Sequence, residues 1–201
     1  MRLTDVHAIR YGDVLVDGER WPGFLHLVEH PHGRVLVDTG VIESTPALDE
    51  EWSPRFEPDA IPRDVVCVIN THLHFDHCGG NRLFAGTPIF VQRFEREAAR
   101  AEDYTIPEWV DFEGATYVEL DGEQEVLPGV RVVPTPGHTP GHQSVLVETD
   151  DGLVVVAGDV AYTWSEFDAP ENEAAALLTG LAPRRIYLAH EDTPRDSADT
   201  T

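Results

Sequence analysis

Residues Thr71 to Asn81 read THLHFDHCGGN, and only Asn70 separates them from the apolar run VVCVI (Val65 to Ile69). Four side chains able to bind metal, His72, His74, Asp76 and His77, fall within six positions of this stretch. The run before them is short and β-branched, as a buried strand is. In extended chain, residues two apart face the same way, so His72 and His74 point to one side. The chain must then turn for Asp76 and His77 to point back, and Gly79 and Gly80 permit such a turn. One segment can thus offer two imidazoles to one ion and a carboxylate plus an imidazole to a neighbour.

Two ions need more donors than one segment holds. Three further candidates end apolar strands: VRVVPTPGH delivers His138, LVVVAGD delivers Asp159 and RIYLAH delivers His190. Sites in layered α/β folds gather at strand ends along one sheet edge. Asp159 has two carboxylate oxygens and can bridge a pair of ions, which sit roughly 3.5–4 Å apart in binuclear hydrolases. A set of nitrogen and oxygen donors without sulfur argues against a closed structural zinc site, which favours cysteine. His7, His26, His30, His32 and His142 read as ordinary surface or core residues, with an outer supporting role as the alternative for His142.

The rest of the chain agrees with a mixed α/β architecture. The first forty residues read as a β-meander, with His-Pro-His-Gly at 30–33 as a hairpin turn. Residues 43–64 carry many prolines and charges and read as an irregular loop with one helical turn. Strands are expected at 65–69, 88–91, 115–120, 130–135, 143–149, 153–159 and 185–190, and helices at 79–85, 92–102 and 172–180. RVLVDTG and LVVVAGD echo each other as apolar strands ending at an aspartate. The polar tail from about 191 to 201 is expected to fray.

Composition limits the functions available. The 201 residues suit one domain, 1–201. The formal net charge is −23, and all fourteen basic residues are Arg. Such a surface repels phosphate backbones and anionic membranes, which leaves a small molecule as the expected partner and argues against nucleic acid and membrane. The charge itself reads as habitat and solubility. No apolar leader follows Met1 and no run of eighteen apolar residues occurs, so the expectation is a cytoplasmic protein, monomer or homodimer. The two cysteines, Cys67 and Cys78, fit reduced thiols, Cys78 as a small buried filler.

The order His72–His74–Asp76–His77, His138, Asp159, His190 resembles the metallo-β-lactamase superfamily, whose mark is HxHxDH followed by a distant His, Asp and His. The resemblance covers nearly the whole chain, from VLVDTG to AHED. It implies an αββα four-layer sandwich, two mixed β-sheets flanked by helices, with a binuclear centre at one edge. Carried over residue by residue, His72, His74 and His138 would hold one ion, Asp76, His77 and His190 the other, and Asp159 would bridge. The ions would most readily be zinc, with Mn, Fe or Co compatible with the same donors.

The phrases THLHFDHCGGN, PIFVQRFEREAA, TPGHTPGHQSVLVET and GDVAYT are similar to the N-acyl homoserine lactonases within that superfamily. That group implies opening of the lactone ring, or of a related lactone or ester, by a metal-bridging hydroxide. Tyr162 would contact the carbonyl and Asp76 would shuttle the proton. Loop 43–64 and the stretch from Asp159 to His190 look shorter than in that group. The alternatives are a thioesterase of the glyoxalase-II type or another small-molecule hydrolase on the same scaffold.

Overall fold

The architecture follows from one alternation repeated in two sheets. The computed structural model describes residues 1–197. In the segments Val35–Val37, Cys67–Ile69, Gln143–Thr149 and Gly152–Val156, side chains on both faces are buried. Val35, Val37, Cys67 and Ile69 from one sheet meet Val145, Val147, Val154 and Val156 from the other in a central core. The residues between them face outward. Leu36 and Val68 pack under Leu48, Phe84 and Trp109, while Leu146 and Val155 pack under Phe167, Ala175 and Leu178. Strands buried on both faces are largely apolar, which is why CVI (Cys67–Ile69) and VVV (Val154–Val156) carry no polar residue. Each fully buried valine contributes about 1.5–3 kcal/mol of transfer free energy.

The strands in chain order are β1 (Val6–Val16), β2 (Glu19–Val28), β3 (Val35–Val37), β4 (Arg55–Phe56), β5 (Cys67–Ile69), β6 (Pro88–Gln92), β7 (Thr116–Leu120), β8 (Gln124–Leu127), β9 (Val130–Pro134), β10 (Gln143–Thr149), β11 (Gly152–Val156), β12 (Arg185–Tyr187) and β13 (Arg195–Asp196). The helices are α1 (Pro46–Glu51), α2 (Phe75–Cys78), α3 (Arg93–Ala98), α4 (Pro107–Val110), α5 (Trp164–Phe167) and α6 (Glu173–Gly180). One sheet runs β4-β1-β2-β3-β5-β6-β7 and the other β13-β12-β11-β10-β9-β8. Both are mixed: β3, β5, β6 and β7 are parallel in the first, and β11 and β12 in the second. With helices outside each sheet, this is the four-layer αββα sandwich.

Topology decides where a site can form. β9 and β11 each run antiparallel to β10, and β12 runs parallel to β11, so these three strands end at the same edge. The two sheets are tied together near that edge, where Gln143 N–H donates to the Thr71 carbonyl at 2.9 Å and the Gln143 side-chain amide donates to the Asn70 carbonyl at 2.8 Å.

Several expectations are corrected. The expected helix at 79–85 starts earlier, inside the ligand motif at Phe75, and continues only as a 3-10 turn over Asn81–Phe84. The expected 92–102 helix ends at Ala98. The loop 43–64 is more ordered than its prolines suggest, since α1 and the edge strand β4 both lie in it, and β4 pairs with β1. The tail does not fray along its whole length: β13 pairs antiparallel with β12. Residues 198–201 of that tail lie outside the described residues. Strand β8 and the four-residue helices α4 and α5 were not foreseen. No helix among the described residues is long and apolar enough to cross a membrane.

Candidate metal centre

β5 ends at Ile69, and the motif continues in extended backbone to His74 before α2 begins at Phe75. The helix start provides the turn that brings Asp76 and His77 back beneath His72 and His74. The two glycines that follow serve a different purpose from the one their position suggests. Both have negative φ, but a Cβ on Gly80 would lie 2.4 Å from the Thr39 carbonyl oxygen, and one on Gly79 would lie 2.9 Å from that of Gly40. They are needed so that the backbone after β5 can lie against the backbone after β3.

All seven sequence-predicted donors converge at this edge. His138 Nε2 lies 3.2 Å from His72 Nε2 and 2.9 Å from His74 Nδ1, and His72 Nε2 lies 3.1 Å from His74 Nδ1. Three ring nitrogens so placed cannot all bond one another through protons. A tetrahedral zinc with bonds of about 2.0–2.1 Å separates its donors by about 3.3 Å, close to this spacing. Beside them, Asp76 Oδ2 lies 3.7 Å from His77 Nε2 and 3.6 Å from His190 Nε2. Asp159 stands between the groups. Its Oδ2 is 3.6 Å from His138, 3.9 Å from His72 and 3.4 Å from His190, and its Oδ1 is 3.3 Å from His77 Nε2. Among the described residues, three donor trios lie close enough to hold an ion: His72/His74/His138, Asp76/His77/His190 and His72/His77/Asp159. His77 Nε2 and Asp159 Oδ1 are buried without a hydrogen-bond partner. They lie 3.3 Å apart, and a cation between them would satisfy both.

His77, His190 and His72 are oriented from behind. His77 Nδ1 lies 2.9 Å from Asp38 Oδ2, and His190 Nδ1 lies 2.9 Å from the Pro22 carbonyl. The Thr71 hydroxyl donates to Asp38 at 2.7 Å and lies 3.1 Å from His72 Nδ1. Partners of this kind fix the tautomer and turn the other nitrogen inward. Asp38 follows β3 at φ +62°, a conformation Asp tolerates better than most residues. The echo between VLVDTG and VVAGD was the visible sign of it, although its bond to His77 was not foreseen.

His142 is a satisfied core residue that also stands behind Asp159. It is fully buried, and its Nε2 accepts the Asp159 N–H at 3.0 Å while Nδ1 bonds Thr135. Burial pushes its pKa down to about 3, so it stays neutral and able to accept. His26 is buried against Tyr187 in the core, and His30 bonds the Pro128 carbonyl. Cys78 is buried with its thiol donating to the Leu73 carbonyl at 3.3 Å, in keeping with a filler.

Charge divides the site. Burial holds His72, His74 and His138 below the ordinary histidine pKa, so they are uncharged at neutral pH and ready to coordinate. Burial also opposes charge on His77 and His190, but Asp159 and Asp76 override it and raise both. The metal-free protein therefore keeps protons on these two rings above the usual histidine range. Metal uptake at pH 7 is expected to release protons from the His77/His190 side and none from the three-histidine side, so affinity rises with pH. Titration calorimetry in two buffers of different ionisation heat measures this directly. Equal heats in both buffers would contradict it.

A four-layer αββα sandwich with clustered His and Asp donors at one sheet edge defines a metallo-hydrolase. Residues 18–198 match the model of the metallo-β-lactamase superfamily, and the chain belongs to that superfamily as a metal-dependent hydrolase. It is 38% identical over 168 residues to an N-acyl homoserine lactonase of Bacillus cereus, an alignment covering 73% of this chain and 67% of that one. It is 30% identical to the N-acyl homoserine lactonase AttM of Azorhizobium caulinodans, over 83% of this chain and 76% of that one. Among solved structures, an N-acyl homoserine lactone hydrolase with N-hexanoyl-L-homoserine at its catalytic metal centre superposes with a TM-score of 0.81 at 28% identity, covering 96% and 95% of the two chains. A point mutant of B. thuringiensis AiiA with N-decanoyl-L-homoserine at its active site gives a TM-score of 0.80 at 28% identity over 96% and 95%.

Proposed function

We propose that this enzyme hydrolyses the ring ester of N-acyl homoserine lactones or closely related lactones. The observation that carries the reading is a cleft of about 730 Å³ with the His/Asp cluster at its base and apolar walls, among them Val14, Trp21, Leu48, Trp52 and Ile106. A neutral polar ring with an apolar chain matches that division. The rim carries Glu51 and Asp103, and none of the residues lining the cleft is an Arg. An anionic thioester or phosphodiester would find no Arg along the walls to meet charge lying away from the ions. The two buried, unpaired thiols support a cytoplasmic enzyme.

In this reading His72, His74 and His138 would hold one divalent ion, Asp76, His77 and His190 would hold a second, and Asp159 would serve both. Zinc is the first candidate, since imidazole and carboxylate donors suit it; Mn, Fe and Co accept the same set. When bound, such a pair supplies a water that ionises near neutral pH and Lewis acidity toward a carbonyl oxygen. The remaining tasks fall to the protein. Asp76 would take the proton given up by the attacking water and pass it to the ring oxygen that leaves when the ester bond breaks.

Tyr162 polarises the carbonyl. Its ring packs edge-on against Trp21 at 5.3 Å, and its hydroxyl lies 3.1 Å from His138 Nδ1. With His138 Nε2 turned to the metal side, Nδ1 carries the proton and donates to the Tyr162 oxygen. That leaves the tyrosine's own proton free for substrate. Burial, with Asp159 and Asp76 nearby, raises the phenol pKa, so it remains a donor. Tyr162→Phe is expected to keep its metal and lose about tenfold in kcat, the value of roughly one hydrogen bond of 1.4 kcal/mol. Metal analysis and lactone kinetics on one preparation check it, and loss of metal would contradict this role.

The deciding experiment joins a metal count on purified protein to a hydrolysis panel. The panel holds short- and long-chain acyl homoserine lactones, S-lactoylglutathione, a cephalosporin and a phosphodiester. Lactone turnover with about two ions per chain is the expected result. Thioester turnover without lactone turnover would overturn the proposal.

A further inference from the structure

Glu95 is a carboxylate with no surface exposure, in the first turn of α3 just after β6. A buried carboxylate is costly unless its oxygens are bonded, and this one accepts four hydrogen bonds. Oε1 accepts the Leu73 backbone N–H at 2.8 Å and the Tyr104 hydroxyl. Oε2 accepts the Thr139 hydroxyl at 2.7 Å and the Gly141 backbone N–H at 3.2 Å. These donors come from meaningful places. Leu73 lies between His72 and His74, and Thr139 follows His138 directly. Tyr104 lines the cleft with its ring 4.9 Å from that of His74.

A second observation is independent of the carboxylate. A Cβ on Gly141 would lie 2.1 Å from the Glu95 backbone nitrogen, so the loop bearing His138 is seated directly on the start of α3. The two loops that present the three clustered imidazoles come from different sheets, and Glu95 is bonded to both. The Asp76/His77/His190 group has other supports in Asp38 and the Pro22 carbonyl.

We infer that Glu95 is a positioning residue for one half of the site: by bridging the Leu73 and Thr139 loops it sets the spacing of His72, His74 and His138 and thereby the affinity and geometry of the ion they hold. The inference rests on the proposed division of ligands between two ions. Glu95→Gln tests it, since an amide can turn only one oxygen to these donors. Its NH₂ group then faces either the Leu73 or the Gly141 N–H, and one loop loses its tie.

The experiment titrates zinc into metal-free wild type and Glu95→Gln, and records the visible spectrum of each after Co(II) loading. Wild type is expected to take up two ions. The variant is expected to bind one as wild type does and the other roughly 10–100-fold more weakly, the usual cost of losing an outer partner of metal ligands. Its Co(II) bands are expected to change in step. Thr139→Val, which removes one bond of the four, is expected to weaken the same ion to a smaller degree and covers the case of a poorly folded Glu95→Gln. Two variants that are merely less stable, with both affinities and the Co(II) spectrum unaltered, would overturn the inference alone. A wild-type chain that takes up no ion would overturn the ligand assignment beneath it.

Discussion

Asp159→Asn is expected to lose metal and activity together. The carboxylate is buried, and its two oxygens face His77 on one side and His190, His138 and His72 on the other. Burial alone would favour the neutral acid, but His77 and His190 hold Asp159 well below the usual carboxylate pKa. That negative charge is what a cation at this point would use. The amide keeps the shape, removes the charge and presents N–H groups to ring nitrogens that point inward. An outer partner of a metal ligand is already worth roughly 10–100-fold, so kcat/KM should fall by more than about 100-fold. Elemental analysis with lactone kinetics tests this. An Asn variant with two ions and near-wild-type turnover would end the bridging assignment.

Chelation should cost the fold as well as the activity. The donors come from loops that follow β5 in one sheet and β9, β11 and β12 in the other, so a bound ion links the two sheets where the sandwich opens to solvent. The unfolded chain does not bring these residues together, and metal therefore binds the folded state selectively. At a free concentration near 1,000 times Kd, each ion adds about 4 kcal/mol. For two ions and a chain of this size, removal should lower Tm by roughly 15–30 °C. Melting curves before and after a chelator, and again after zinc is restored, measure it. A Tm that ignores the chelator would show that these donors hold no ion of consequence to the fold.

Much of the fold and of the candidate site was legible because the relevant signals are local. VVCVI and LVVVA announce strands covered on both faces, since polar residues there are costly unless bonded. HxHxDH packs four donors into six positions, and each distant donor ends an apolar run. Elements without a repeat to read were missed. α4 and α5 are four residues each, too short for helical periodicity, although the capping box of Thr163 and Glu166 marked where α5 begins. The supporting residues were the least visible. Nothing in QRFEREAARAE separates Glu95, wholly buried, from Glu97 two positions on. Asp38 and His142 are ordinary residues until the loops around them close.

The sequence by itself named the candidate donors and the apolar strands they end, and its resemblance to the metallo-β-lactamase superfamily implied the two-sheet sandwich that brings strand ends to a common edge. The donors and strands are legible because their signals are carried within a few residues. Only the tertiary structure decided which nitrogen of each ring faces inward, which oxygen of Asp159 meets which histidine, and which carboxylates stand behind them. Such choices depend on contacts spanning 33 residues from Thr71 to Asp38 and 44 from Thr139 to Glu95. Pairings at that separation exist only once both sheets have packed, because no local preference of the backbone encodes them.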